Sequence, residues 1–517
     1  MIYLMTDVIR YEFSGIDYAI RQRYRLFKEM GVPVKIISTI YNRFSDLNRF
    51  RAGIVAEDCI NMNDFFQQAV LYHGPRRTLA DLDFGNLVTP VRQARQVHYY
   101  KGRYRVVTVT LAKPDSGYPS APDQIDKIDF FGHRDQLLQT DYYDVRGFLS
   151  MRHIFDEDGY LTTEQMMRPD GKVGYENTYQ KDDAGHSVLQ ETTLQTDDGL
   201  SIFTTRQELI TAFLSRLQAI GQPAYFFADW PEMGDAPLFA LPTHPKVIAV
   251  RHSAHTQDPN DPMKSPYVDR VQQEIDHPES VIGFVTATKS QAADLHQRSG
   301  VKTWAIPPSY NESTLLEKSP VPLNHRKKHT IISVARIHPE KQLDQLIEAV
   351  RSIQQRVPDV QLEIYGYVNY QSYYHKLQKQ VAEAHLQDHV RFMGYVPDLS
   401  KPFDQGTVLA LTGYYEGFNL ALMQSLAHGM PAVAYDVHYG INEQIKDGQN
   451  GFLVPLSDRT TLANRLTQVL TDADLWQAQS VAAKKLAQVY SKAHVVAKWR
   501  AFLDDLQVPV DGKIQNK

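Results

Sequence analysis

Over about the first 40 residues, apolar and polar positions alternate in the order strand, turn, helix, strand. Met1–Val8 is an apolar run with polar interruptions, and Ser14-Gly15 forms a turn. Ile16, Ala19, Ile20, Tyr24, Leu26 and Phe27 then recur at near-helical spacing. Gly31 stops that helix, Pro33 lies just beyond, and Val34–Ile37 reads as a short buried strand. This is how a doubly wound α/β domain opens. From about Asn61 to Thr204 the helical period fades, and alternating strands such as Tyr104–Leu111, Ile128–Phe131 and Tyr160–Met167 take over. Turns at Asp158-Gly159, Asp170-Gly171, Ala184-Gly185 and Asp198-Gly199 separate them. Their even spacing predicts a β-meander in which each glycine supplies a positive φ. These turns lack the alternating ligands and closing glutamate of a calcium loop, so turn chemistry explains the aspartates.

The α/β rhythm resumes at helix Gln207–Ile220, followed by strands Ala224–Ala228, Val247–Arg251 and Val281–Thr286, helix Lys289–Arg298 and strand Thr303–Ile306. Pro307-Pro308 and the polar stretch Lys318–Lys328 read as a linker. A second α/β unit then runs through strand Ile331–Ala335, helix Leu343–Val357, strand Leu362–Gly366, helix Tyr373–Leu386 and strands Val390–Gly394 and Val408–Leu411. Helix Phe418–Gly429 and strand Ala432–Tyr435 complete its core, and helical segments Asp458–Leu470 and Leu475–Leu506 close the chain. The expected class is α/β, with two Rossmann-like domains and a β-meander inserted in the first. The boundaries are 1–60 plus 205–320 for the first domain, 61–204 for the insert, 328–490 for the second domain and 491–517 for a C-terminal helix and tail.

Composition narrows the function classes. The 517 residues carry 55 Lys+Arg against 60 Asp+Glu, far from the basic excess of a general nucleic-acid binder. The single cysteine, Cys59, excludes an internal disulfide framework and any all-cysteine metal site. No apolar run approaches the roughly 18 residues of a membrane span. Met1–Phe13 lacks the basic start and apolar core of a secretory signal, so a cytoplasmic protein is expected. The 29 Tyr and 22 Phe are flat surfaces suited to sugars, or equally to sheet packing.

The most informative stretch is Thr412-Gly413-Tyr414-Tyr415-Glu416-Gly417-Phe418-Asn419-Leu420. It places a carboxylate at a strand end, then a glycine that lets backbone approach a ligand, then a helix start whose N–H groups favour oxygens. A plain strand–turn–helix connection with a capping glutamate has the same pattern. Arg336 follows the first strand of the second unit and Lys341 lies five residues on, two cations suited to a diphosphate. Gly15 sits at the first strand-to-helix turn, and His252 and His255 follow strand Val247–Arg251.

With these residues in place, the second unit resembles the donor-binding half of retaining glycosyltransferases of family 4, which have the GT-B fold. Supporting segments are Arg336-Ile337-His338-Pro339-Glu340-Lys341, Ile364-Tyr365-Gly366 and Val390-Arg391-Phe392-Met393-Gly394. The most specific run is Tyr415-Glu416-Gly417-Phe418-Asn419-Leu420, continuing through Ala427-His428-Gly429-Met430-Pro431 to Asp447-Gly448-Gln449-Asn450-Gly451-Phe452. With Ser14-Gly15-Ile16-Asp17, the histidine pair and the insert, the first half resembles bacterial polyol-phosphate (teichoic acid) α-glucosyltransferases and the glycosyltransferases of serine-rich adhesins.

The resemblance implies roles residue by residue. Arg336 and Lys341 hold the departing diphosphate. Glu416 binds the transferred hexose, Gly417, Phe418 and Asn419 offer backbone N–H groups to sugar and phosphate, and Leu420 belongs with them to the donor-binding set. Gly15 lets its loop close over the diphosphate, His252 polarises hydroxyls or is simply satisfied at a strand end, and His255 lies toward the acceptor. The family's second glutamate falls on Gln424, which accepts a ribose hydroxyl without the strengthening charge. No metal or other cofactor is implied, and Asp81-Leu82-Asp83, though reminiscent of a metal signature, falls at the edge of the insert.

The implied activity is transfer of glucose or N-acetylglucosamine from a UDP-sugar to a cell-surface acceptor at the inner face of the membrane. A teichoic acid chain is favoured over Ser/Thr of an adhesin. The implied partners are the UDP-sugar, the polymeric acceptor, and a second copy or a similar subunit, with peripheral membrane association and no nucleic acid. The alternative is a non-catalytic acceptor-binding or stabilising subunit.

Overall fold

The computed structural model describes residues 1–10, 14–85, 88–114, 117–196, 199–220 and 223–510. Asp198 and the tail 511–517, on which the last turn and the chain end were read, lie outside the described residues. By contact the chain forms two compact units, one of Met1–Tyr11 with Pro33–Val247 and one of Glu12–Val32 with Ile248–Lys517.

In the first unit, β1 (Ile2–Thr6) pairs in parallel with β2 (Val34–Ser38), and β2 pairs with β3 (Cys59–Asn61). The chain then enters a ten-stranded antiparallel meander in strict sequence order. Its strands are β4 (Thr89–Gln93), β5 (Gln96–Lys101), β6 (Tyr104–Leu111), β7 (Ile125–Phe131) and β8 (Leu137–Tyr143). They continue as β9 (Leu149–Phe155), β10 (Leu161–Met167), β11 (Val173–Lys181), β12 (Ser187–Thr196) and β13 (Gly199–Phe203). Helix Arg206–Ile220 leads back to β14 (Tyr225–Ala228), which lies parallel to β1.

The turn reading holds: Gly159, Gly171 and Gly185 have φ of 85°, 84° and 83°, and Gly199 has 122°. The neighbouring aspartates close those turns. Asp156 accepts from the N–H groups of Asp158 and Tyr160, and Asp182 from that of His186. Asp81 and Asp83 are spent similarly, on Thr78 and on the Gly85 N–H.

The sheet is anchored to residues 62–69, where the sequence showed no helix and the structure has Met62–Phe66. Gln67, fully buried, donates to the carbonyls of Ser150 and Met167 at 2.6 and 2.7 Å. Arg146 pairs with Asp144 and Asp64 at 2.7 and 2.8 Å, and Tyr175 donates to Asn63. The insert's tyrosines thus serve several surroundings, Tyr175 packing on Phe66 outside the sheet. Tyr99 lies edge-on to Phe84 and Tyr142 to His153, while Tyr104 is exposed.

The longer segment of the second unit begins within β15 (Lys246–Arg251), which is followed by its successive neighbours β16 (Val281–Thr286) and β17 (Thr303–Ala305). The linker region leads into β18 (Thr330–Val334), β19 (Gln361–Tyr365), β20 (Val390–Gly394), β21 (Val408–Leu411), β22 (Ala432–Tyr435) and β23 (Gly451–Val454). These form one parallel sheet in the order β20-β19-β18-β21-β22-β23. Helix Leu343–Gln354 buries Leu346, Ile347, Val350 and Ile353 against it, each worth roughly 1.5–3 kcal/mol. The predicted C-terminal helical run breaks after Ala487 and restarts at Lys492, because Asn311 pairs with Ser491 across the gap. No helix among the described residues is long and apolar enough to cross a membrane.

Candidate functional site

Strand order locates the site. In the six-stranded sheet the chain moves outward from β18 to one edge, then returns to continue from β21 to the other. The loops after β18 and β21 therefore diverge at their carboxyl ends, and such a switch point is where α/β sheets bind ligands. Both motifs singled out in the sequence follow these strands.

After β18 the chain is forced into a tight path. Gly366, at φ 149°, crosses so close that an added Cβ would lie 1.9 Å from the Ala335 carbonyl oxygen. Arg336 follows, and Pro339–Lys341 makes a single 3-10 turn. Lys341 ends this turn, and Gln342, at φ 46°, redirects the chain into helix Leu343–Gln354, whose start is the predicted one. Two bonds from the β21 loop fix the turn: Thr412 Oγ1 donates to the Lys341 carbonyl at 2.8 Å, and the Tyr414 N–H to that of Glu340 at 2.9 Å.

This backbone frame brings four charges together. Lys341 Nζ lies 2.8 Å from Glu416 Oε1 and 3.6 Å from Glu340 Oε1, and Arg336 lies 2.6 Å from the same Glu340 oxygen. Tyr415 donates to the other Glu340 oxygen at 3.0 Å. Burial works to lower the Lys341 pKa, but Glu416 and then Glu340 outweigh it, and the net shift is upward. Burial likewise works to raise the Glu340 pKa, and Lys341 and Arg336 turn it downward. Lys341 and Glu340 are thus each favoured in their charged form. Arg336 is its most exposed member, with 43% of the side chain open, against 13% for Lys341 and 15% for Glu416.

Gly417 requires its lack of a side chain. A Cβ there would lie 2.3 Å from the His252 carbonyl oxygen, so the segment after β15 packs directly on the Glu416 loop. Gly15 opens helix Gly15–Glu29, whose Ser14 cap bonds reciprocally with Asp17, and it faces Leu420: the nearest atom to an added Cβ is Leu420 Cδ1 at 3.8 Å. Leu420 begins helix Leu420–Ala427, two residues later than expected, because the Asn419 side chain caps it by accepting from the Leu422 N–H at 2.8 Å. The Phe418 ring packs edge-on to Tyr490. Gln424 lies one turn into the helix, half-buried.

Arg336, Lys341, Glu416, Gly417, Leu420, Gly15 and the His252 backbone are therefore brought together. His255 is not. It is fully buried, stacked on Tyr439 at 5.6 Å and tilted against Tyr267, and burial, then Arg298 and Arg251, depress its pKa to about 4. A neutral buried imidazole supports the loop and offers no group to an acceptor. Glu340 and Tyr415 were quoted within sequence motifs but given no part. No local spacing signals them, because Tyr415 reaches Glu340 only across the fold.

Comparison with known proteins finds similarity over part of the sequence and over the whole fold. Residues 317–486 match the family described as "Glycosyl transferases group 1". The poly(glycerol-phosphate) alpha-glucosyltransferase of Bacillus subtilis is 26% identical over 35% of this chain and 26% of its own length. The GtfA subunit of the UDP-N-acetylglucosamine–peptide N-acetylglucosaminyltransferase of Streptococcus gordonii is 25% identical over 59% of this chain and 61% of its own. The matches thus span about a quarter and three fifths of these two relatives. A crystal structure of the pneumococcal O-GlcNAc transferase GtfA in complex with UDP and GlcNAc superposes with a TM-score of 0.82 at 20% identity, covering 98% of this chain and 99% of that one. The chain has the GT-B fold, and residues 317–486, within its second α/β unit, are similar to the group 1 glycosyl transferases.

Proposed function

We propose that the protein is a retaining hexosyltransferase of family 4. It moves glucose or N-acetylglucosamine from a UDP-sugar to a bacterial cell-surface acceptor, a teichoic acid polyol-phosphate chain in preference to Ser/Thr of an adhesin. The observation that carries this is the charge cluster at the β18/β21 switch point. Lys341 and Arg336 offer two fixed cations to a diphosphate, and Glu416, held by Lys341, offers a carboxylate to sugar hydroxyls. As the glycosidic bond to the donor breaks, negative charge grows on the diphosphate, where the cations stabilise it. The acceptor hydroxyl attacks the same face and passes its proton to the leaving phosphate oxygen. Retention of both cations and Glu416 supports a catalytic chain over a purely stabilising subunit. The S. gordonii relative is named as a subunit, which supports a partner chain for this protein as well.

The test is UDP release by the purified chain from UDP-glucose and UDP-N-acetylglucosamine, with a glycerol-phosphate oligomer or a serine-rich peptide as acceptor. The expected result is acceptor-stimulated release with an α-linked product by NMR. A β-linked product excludes retention, and absence of release with every donor and acceptor excludes the transferase.

A further inference from the structure

The insert carries a concave site that the transferase chemistry leaves unused. In an antiparallel meander alternate turns return to the same end, so the β5–β6 turn at Gly102 and the β7–β8 turn at Asp135 stand side by side. Side chains also alternate across the sheet. Val97, Val107, Val109 and Ile128 enter a small core on one face, with Tyr99 packed against it. His98 and Tyr100 consequently face the other side. A bulge at Val106, where Tyr99 opposes Val107 but Tyr100 opposes Arg105, turns Arg105 there too. Arg103, Tyr104, His133 and Arg134 from the two turns join them around a cavity of about 490 Å³.

The charge of this cavity is one-sided. Arg105 is committed to Asp135, with bonds of 2.9 and 2.8 Å. Arg103 donates to the Tyr104 hydroxyl at 3.0 Å and lies 5.1 Å from that ring's centroid. Arg134 makes no ion pair among the described residues. Three guanidinium groups therefore share one carboxylate, in a chain whose net charge is −5. A guanidinium fork matches phosphate oxygens, and the faces of Tyr100, Tyr104 and His133 suit the C–H surface of a polyol or sugar. His98, 8% exposed and bonded to Thr108 Oγ1 at 3.0 Å, gives the wall a fixed polar group.

We infer that this cavity docks a phosphodiester-linked polyol chain. Its volume accommodates a small ligand such as one or two repeating units. Its concavity, with Tyr104 the one lining residue among the exposed large hydrophobics, fits a chain better than a lipid surface. The inference deepens the transferase reading, on which it rests for calling this chain the acceptor. A contact remote from the transfer site raises the acceptor's effective concentration without altering the chemistry.

The experiment measures binding alone, so failure of the transferase reading leaves its outcome legible. A fluorescent glycerol-phosphate hexamer is titrated against the full chain and against Arg103→Ala/Arg134→Ala, whose side chains are exposed and outside the core. Calorimetric titration with UDP, anionic phosphatidylglycerol vesicles and neutral dextran complete the set, and Arg134→Glu serves should the double variant fold poorly by circular dichroism. The expected result is hexamer binding weakened about tenfold or more by either variant, UDP binding unchanged, and no affinity for dextran. Equal hexamer affinity in folded variant and wild type overturns the inference. So does variant-sensitive vesicle binding with the hexamer unaffected, which would assign the patch to a membrane.

Discussion

Lys341→Ala is the most direct perturbation of the proposed clamp. The side chain is mostly buried, 2.8 Å from Glu416 and 3.6 Å from Glu340, and its ammonium is stabilised by both. A charge-assisted contact to the leaving diphosphate is worth about 1.5–3 kcal/mol, or about 10- to 100-fold in rate. Truncation also leaves Glu340 and Glu416 facing the diphosphate without the cation between them. Like-charge repulsion then adds to the loss, and the expected effect lies at or beyond the upper end of that range. Arg336→Ala removes a more exposed, better screened charge already engaged by Glu340, so its expected effect is smaller, about tenfold. Lys341→Ala/Glu416→Gln should recover part of the UDP affinity lost in Lys341→Ala, because it relieves the repulsion. The assay is UDP release at saturating and limiting donor, with calorimetric UDP binding and a melting curve to confirm folding. Near-wild-type release by both single variants would refute the clamp, and an Arg336 effect exceeding the Lys341 effect would refute the ranking by burial.

Gln424→Glu should tighten UDP binding by restoring a charged acceptor for a ribose hydroxyl, read by calorimetry; unchanged or weaker binding removes Gln424 from the ribose site. Gly417→Ala should lower turnover at least tenfold and reduce the melting temperature, because the new Cβ meets the His252 carbonyl at 2.3 Å; wild-type values for both would show that the two segments separate freely. His255 titrates at about 4 when folded against an ordinary 6.5, so the unfolded chain binds the extra proton first. Its contribution is intact above pH 6.5 and is lost as pH falls toward 4, by up to roughly 3 kcal/mol at about 1.4 kcal/mol per unit. His255→Gln should flatten that part of the urea-midpoint profile between pH 7 and 4.5, and an unchanged profile would count against the assignment.

Much of this molecule was legible in its residues because local rules and tertiary packing agreed. Strands Tyr104–Leu111, Val390–Gly394 and Ala432–Tyr435 have the bounds their apolar patterns predicted, and the turn glycines of the insert take the positive φ their spacing demanded. Arg336, Lys341 and Glu416 were recognisable because they follow strand ends, and chain order alone places strand ends at one edge of a parallel sheet. What sequence could not reach depends on atoms distant along the chain. Asn311 breaks a helix some 180 residues away by pairing with Ser491, which no local propensity encodes. Asn419 moves a helix start because its side chain, and not its backbone alone, satisfies the first free N–H. Glu340 became part of the site only when the β21 loop delivered Tyr415 and Glu416 to it, and His255 left the site only when Tyr439 and Tyr267 covered it. Sequence therefore determined which elements form and which chemical groups stand at their ends, since periodicity and turn chemistry are local. Tertiary structure alone decided which of those groups are charged, buried or paired, because burial and Coulomb partners are properties of the assembled neighbourhood.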